Sequence, residues 1–196
     1  MRNAARIFRE KGYAGVGVDE LSQGAGVTSG SFYKHFGSKS DAFLEVVRAG
    51  VERVAKRVRS LKAGKSNPRD WVNEFATIHS SKEHLRSVGL GCNLPTLSVE
   101  VARADGDAKK AFEQSISKAI GEMAGGEPFA EGADAEARAV AFLSVLTGAM
   151  VIARAVRNPK TAAMITESAR RAALLIAEQP LPTTPRSDTK WSPAEY

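Results

Sequence analysis

Val27-Thr28-Ser29-Gly30-Ser31-Phe32-Tyr33-Lys34-His35-Phe36 is small and polar at its start, aromatic and basic at its end. The Thr28 hydroxyl suits a helix cap, and Val27, Phe32 and Phe36 fall at helical spacing. The stretch therefore predicts a short helix over 28–36 with those three side chains inward. Thr28, Ser29, Ser31, Tyr33, Lys34 and His35 are left to face outward. Just upstream, 18–25 reads as another short helix, with Val18, Leu21 and Ala25 inward and Asp19 and Glu20 in its first turn. Gly26 then supplies the left-handed residue of a tight turn. Two short helices meeting at such a turn make a helix-turn-helix, whose second helix can enter a DNA major groove.

Helical periodicity continues on both sides. Residues 2–11 set Ala5, Ile7 and Phe8 among arginines and end at Gly12. After Gly37, Ser38 and Asp41 read as a capping box. Leu44, Val47, Val51, Val54, Val58 and Leu61 then repeat along one long helix, with Arg48, Arg53, Lys56, Arg57 and Arg59 on its other faces. Pro68 is placed to open a fifth helix through Trp71, Phe75 and Ile78, followed by an interruption at 80–83. Further helices are expected over 90–104, where Pro95 either sits in the first turn or makes a kink, and over 107–123. Gly125, Gly126, Pro128 and Gly132 mark a loop. The segment 134–157 is so apolar that it needs cover on two sides, and Asn158-Pro159 opens a last helix to 178. The fold class expected is all-α.

The chain of 196 residues carries a net charge of +6, and its first 60 residues hold 11 basic against 6 acidic side chains, so most of the surplus travels with the head. Such a surplus suits a polyanionic partner. The single cysteine, Cys92, excludes an intrachain disulfide and suits a reducing cytoplasm. With no signal-peptide pattern and no run read as long enough to cross a membrane, a soluble cytoplasmic protein is expected. His35, His79 and His84 lack metal-ligand spacing, there is no phosphate loop, and Cys92 has no identifiable catalytic partner. Glu100, Asp105 and Asp107 read as a solvated acidic edge. No enzyme activity, metal or cofactor is expected.

The frame Ala5, Phe8, Gly12-Tyr13, Val18, Leu21, Ala25-Gly26-Val27, Gly30, Phe32-Tyr33, His35-Phe36 and Lys39 resembles the TetR family of transcriptional regulators, of TetR/AcrR type. The resemblance implies a helix-turn-helix DNA-binding domain over 1–47 and a helical ligand-binding and dimerisation domain over 48–179. Residues 180–196, rich in Pro, Ser and Thr, read as a mobile tail carrying Trp191 and Tyr196. It further implies a homodimer that binds a palindromic double-stranded operator, most often as a repressor, and is released by a small organic effector, here a mostly apolar molecule. Val16 and Gly17 stand where members usually carry Thr or Ser, which shifts the expected operator contacts toward Tyr33, His35 and Lys39.

On this reading Thr28, Ser29 and Ser31 are short enough to bring backbone and hydroxyls close to base edges, and Gly30 permits the same approach. Tyr33, His35 and Lys39 match family positions that hold phosphates, and Lys34 is a candidate for base or phosphate. The last two helices are expected to form a four-helix bundle with their symmetry mates through Val140, Leu143, Val151, Ile165, Ala169, Ala172 and Ile176. The effector site is expected near Trp71, Phe75, Ile78, Leu94, Leu97, Phe112, Ile116, Phe142 and Leu146, with His79, Asn93 and Thr96 as directing groups. The alternatives are an activator, or a regulator without a small-molecule ligand that answers to a protein partner or to oxidation of Cys92, whose bland reading is a buried inert thiol.

Overall fold

The structure is a computed structural model that describes residues 1–63, 65, 67, 69–104, 106–130 and 134–182. Its described elements are helices: α1 Arg2–Lys11, α2 Val18–Ala25, α3 Ser29–Phe36, α4 Lys39–Lys62, α5 Asp70–His79, α6 Lys82–Arg86, α7 Leu94–Arg103, α8 Gly106–Ala124, α9 Ala135–Ala155 and α10 Pro159–Glu178. The all-α expectation is met. Pro68, Gly132, Asp105, Trp191 and Tyr196, and with them nearly all of the expected tail, lie outside the described residues.

The head is built by α1 to α3 and the first turns of α4. Phe8, Leu21, Phe32, Phe43, Val46 and Val47 close its core, and Tyr13 joins Phe8 and Phe43 in an aromatic cluster. Leu97 and Val101 of α7 fill the same core, so a body helix completes the head and the packing does not stop at residue 47. Lys39, at the first position of α4, donates to the carbonyls of Tyr13 and Val16, both at 3.0 Å, and lies over the Tyr13 ring. Those bonds hold the turn between α1 and α2 against α4. Ser38 caps α4 as expected by accepting from the Asp41 amide, while its hydroxyl donates to the Asp41 carboxylate.

Across 24 residues, about 36 Å of helix, α4 runs from the head into the body. Its Val51, Val54, Val58 and Leu61 pack with Trp71 and Phe75 of α5, Met123 of α8, and Phe129 and Phe142. Trp71 satisfies its indole N–H on the Glu127 carbonyl at 2.7 Å. Lys62 donates to the Glu122 carbonyl, and Arg59 pairs with the Glu122 carboxylate, tying the end of α4 to α8.

Local differences from the sequence reading have local causes. The interruption around Ser80 becomes the one-turn helix α6, because the Ser81 hydroxyl accepts from the His84 amide. The next helix begins at Leu94 rather than Leu90, with Pro95 in its first turn, and Gly89 and Gly91 shape the turn before it. Val27 is 43% exposed because it follows left-handed Gly26 (φ 70) in the turn instead of joining α3. Ala25 is likewise exposed, and Ser22, bonded to the Val18 carbonyl, takes the buried place. Leu44 is half-buried.

The reading that no segment was long enough to cross a membrane is corrected by α9. Its 21 residues meet that test by length and composition, yet only 33% of its most apolar stretch is buried within the chain. The helix is anchored by Arg138, whose guanidinium donates to the Ala177 carbonyl at 2.9 Å and to the Phe129 carbonyl, and faces Asp134 at 3.0 Å. One side packs into the body core; Ile152 on the other is 56% exposed.

Candidate nucleic-acid interface and body cavity

Gly26 turns the chain between α2 and α3, and the Val27 amide bonds back to the Ser22 carbonyl at 3.0 Å. Thr28 caps α3 by accepting from the Ser31 amide at 3.2 Å. Ser29 donates to Asp19 at 2.7 Å, fixing the start of α3 against the first turn of α2. Phe32 is buried beneath and Phe36 packs on it with ring centroids 4.9 Å apart. Thr28, Gly30, Ser31, Tyr33, Lys34 and His35 are exposed together, with Tyr33 at 51%. A Cβ built on Gly30 would meet only the Thr28 hydroxyl, at 3.9 Å, so the fold itself does not demand glycine there. Lys39 is the exception in this group, since two of its protons are committed to the carbonyls inside the head.

Chemically, this face offers hydroxyls, a phenol, an imidazole, an ammonium and the positive end of a helix, all donors suited to phosphates and base edges. Behind it, a buried polar chain joins head to body. Arg9 of α1 donates to the Gly89 carbonyl at 2.8 Å and to the Asn93 side-chain oxygen at 2.9 Å, while the Asn93 amide donates to the Val46 carbonyl at 2.8 Å. Burial, with Arg53 nearby, lowers the Arg9 guanidinium to about 10, so it stays charged at neutral pH. Arg9 was legible only as one basic residue of an amphipathic helix, and Asn93 as a ligand-directing group; no local pattern announces a contact across 84 positions.

Next to Asn93 the body opens. A cavity of about 200 Å³ is lined by Gly50, Arg53, Val54 and Arg57 of α4, Ile78 and His79 of α5, His84 of α6, and Leu90, Gly91 and Cys92 of the turn. A much smaller space of about 10 Å³ adjoins it, walled by Phe75, Leu94, Pro95, Leu143, Leu146, Thr147 and Met150, and the two share His79, His84 and Cys92. Burial pushes His79 down to about 4; its Nδ1 lies 2.9 Å from the Phe75 carbonyl, which makes Nδ1 the donor, and its ring stacks on Phe75. Burial also lowers His84, with Arg154 adding to the effect, and raises the Cys92 thiol against the pull of Arg53, Arg154 and Arg9. A thiol held protonated is a poor nucleophile.

Of the residues expected at an effector site, Phe75, Leu94 and Leu146 line the small space, Ile78 the larger one and His79 both. The others lie elsewhere. Trp71 and Phe142 are core, Leu97 belongs to the head core, Phe112 and Ile116 pack against the core clusters, and the Thr96 hydroxyl donates to the Cys92 carbonyl at 2.9 Å. Sequence reasoning missed Arg53, Arg57 and His84 as cavity residues, placing the arginines only on the other faces of the long helix although their i, i+4 spacing puts them on one side of α4.

On the far side of the body, Val140, Val151, Ile152, Met164 and Leu175 form an exposed apolar face of α9 and α10. Ile165, Ala172 and Ile176 are half-buried at its edge, whereas Leu143 and Ala169 are buried within the chain.

A helix-turn-helix head with an outward polar second helix, set on an all-helical body, defines the general class. The sequence model of the bacterial regulatory proteins of the tetR family matches residues 1–46. The transcriptional repressor KstR2 of Mycobacterium tuberculosis (strain ATCC 25618 / H37Rv) is 35% identical over 65 residues, 33% of this chain and 32% of that one, so the chain spans about a third of this relative's length. Among solved structures, a TetR transcriptional regulator from Chloroflexus aurantiacus J-10-FL superposes with a TM-score of 0.73 at 20% identity, covering 91% of this chain and 92% of that one. FadR from Bacillus subtilis, in complex with stearoyl-CoA, gives 0.66 at 15% identity over 89% and 94%. Residues 1–46 thus match the tetR family of bacterial regulatory proteins, and the chain shares the fold of these solved structures.

Proposed function

We propose that the chain is a cytoplasmic transcriptional repressor that binds a palindromic operator as a homodimer and is released by a small organic molecule with a largely apolar body. The observation that carries the DNA-binding part is the joint exposure of Gly30, Ser31, Tyr33, Lys34 and His35 on a helix whose other face is locked by Phe32 and the bond from Ser29 to Asp19. The repressor assignment is supported by the name of the KstR2 relative. Release by an effector is supported by the cavity beside Asn93 and by the acyl ligand in the FadR complex of the same fold.

Dimerisation is supported by the exposed apolar face of α9 and α10, which two copies would cover as a four-helix bundle, with Val140 and Val151 central to it. This accounts for α9 without a membrane. Two heads on a two-fold axis would meet half-sites one helical turn apart, about 34–36 Å.

Selection of duplexes from a random pool by the purified chain tests the proposal. Enrichment of a two-fold symmetric sequence is the expected result, and failure to enrich any sequence at low salt contradicts it.

A further inference from the structure

We infer that the cavity of about 200 Å³ beside Asn93 is a binding site for an organic anion, its acidic group seated on Arg53 and Arg57 and its apolar part against Val54, Ile78 and Leu90 of the same cavity. As the chemistry of an effector, this rests on the ligand-responsive reading above; as a binding site, it stands on the following geometry.

Arg53 and Arg57 lie one turn apart on α4, line the same cavity and make no ion pair among the described residues. Arg59, further along α4, is by contrast paired with Glu122. None of the described residues lining either space is Asp or Glu. Further positive charge stands behind the wall. Arg154 donates to the His84 carbonyl at 2.9 Å and the Leu85 carbonyl at 3.3 Å, and its buried Nη1 has no hydrogen-bond partner among the described residues. Arg9 reaches the turn at Gly89 from the other direction.

Cations gathered at a concavity raise the local potential for an anion, and guanidinium groups give a carboxylate or phosphate paired, charge-assisted bonds. The two histidines do not supply that charge at neutral pH, because burial keeps both low. The apolar end has its own lining, since Val54 of α4, Ile78 of α5 and Leu90 of the turn border the same cavity. A headgroup on the α4 arginines with a short chain against those side chains matches both ends. The floor of the site, Gly91 and Cys92, continues directly into Asn93, which holds the Val46 carbonyl and Arg9, so an occupant that draws on α4 acts on the element that carries the head.

Calorimetric titration of the full chain with octanoate, octyl phosphate and octan-1-ol tests the site. At least one of the two anions is expected to bind one per chain and at least tenfold tighter than the alcohol. The variant Arg53→Gln/Arg57→Gln is expected to lose that preference while keeping the wild-type melting curve, since both side chains are exposed and make no bond within the described fold. Failure of both anions to bind, equal affinity for octan-1-ol, or undiminished anion binding by the variant overturns the inference. Loss of duplex affinity by the variant without any anion present also overturns it, since the arginines would then serve DNA. Anion binding that follows the expected pattern yet leaves duplex affinity unchanged supports the site and contradicts only the ligand-responsive reading.

Discussion

Arg9 of α1 donates to the side-chain oxygen of Asn93 at 2.9 Å, and this contact joins the helix-turn-helix head to the residue that follows the cavity-lining Cys92. Both residues are buried, and Asn93 passes the connection on to the Val46 carbonyl inside α4. The polar chain ties α1 and α4 of the head to the turn that precedes α7.

Removing Asn93 leaves a buried guanidinium and a buried carbonyl short of a partner. Asn93→Ala is expected to lower unfolding free energy by about 2–3 kcal/mol, read from urea melts, and to shrink any effector-induced change in duplex affinity. Unchanged stability would mean that the chain of bonds is incidental. Gly50→Ala should be at least as damaging, because a Cβ there would lie 1.7 Å from the Asn93 amide nitrogen.

Gly30 separates folding from binding. Since its Cβ would meet nothing closer than 3.9 Å, Gly30→Ala is expected to raise stability by up to about 1 kcal/mol through helix propensity. The same methyl stands on the face offered to DNA, so duplex affinity should fall. An alanine variant that binds DNA as well as wild type would remove Gly30 from the interface.

Lys39 has a structural task whether or not it also touches a phosphate. Lys39→Met loses two charge-assisted bonds to the Tyr13 and Val16 carbonyls and should destabilise the chain by about 2 kcal/mol. A denaturation midpoint indistinguishable from wild type would contradict this.

His79 predicts an acid response. Its folded value is lowered from 6.5 to about 4, mainly by burial, so the unfolded chain binds the proton more readily. Stability is complete above pH 6.5 and falls as the pH drops from about 6.5 toward 4, by a few kcal/mol from this group alone. Urea melts at pH 7.5 and 5 should show a smaller difference in His79→Gln than in wild type. Equal differences would place the acid sensitivity elsewhere.

The helices were legible because their signals are local. Thr28 and Ser38 cap where expected, Gly26 takes the left-handed turn, and the valines of α4 recur at helical spacing. The face around Tyr33 followed from Phe32 being the residue that must hide. What stayed hidden depends on contacts between distant segments. Leu97 was expected at the effector site and completes the head core, because α7 lies across it. Arg53 and Arg57 read only as basic residues on the other faces of α4, and the packing of α5, α6 and the 90–92 turn against α4 gives them a shared cavity. Val27 was misplaced by one residue of turn geometry.

The central claim is that the outward face of α3 binds DNA. Its most direct test is fluorescence anisotropy of a labelled, selected duplex titrated with wild type and with Tyr33→Ala/Lys34→Glu, two exposed positions whose change should leave the melting curve in place. The account predicts a loss of affinity of about a hundredfold or more, from one base or phosphate contact removed and one charge reversed per head. Equal affinity of the folded variant and wild type for that duplex would contradict it.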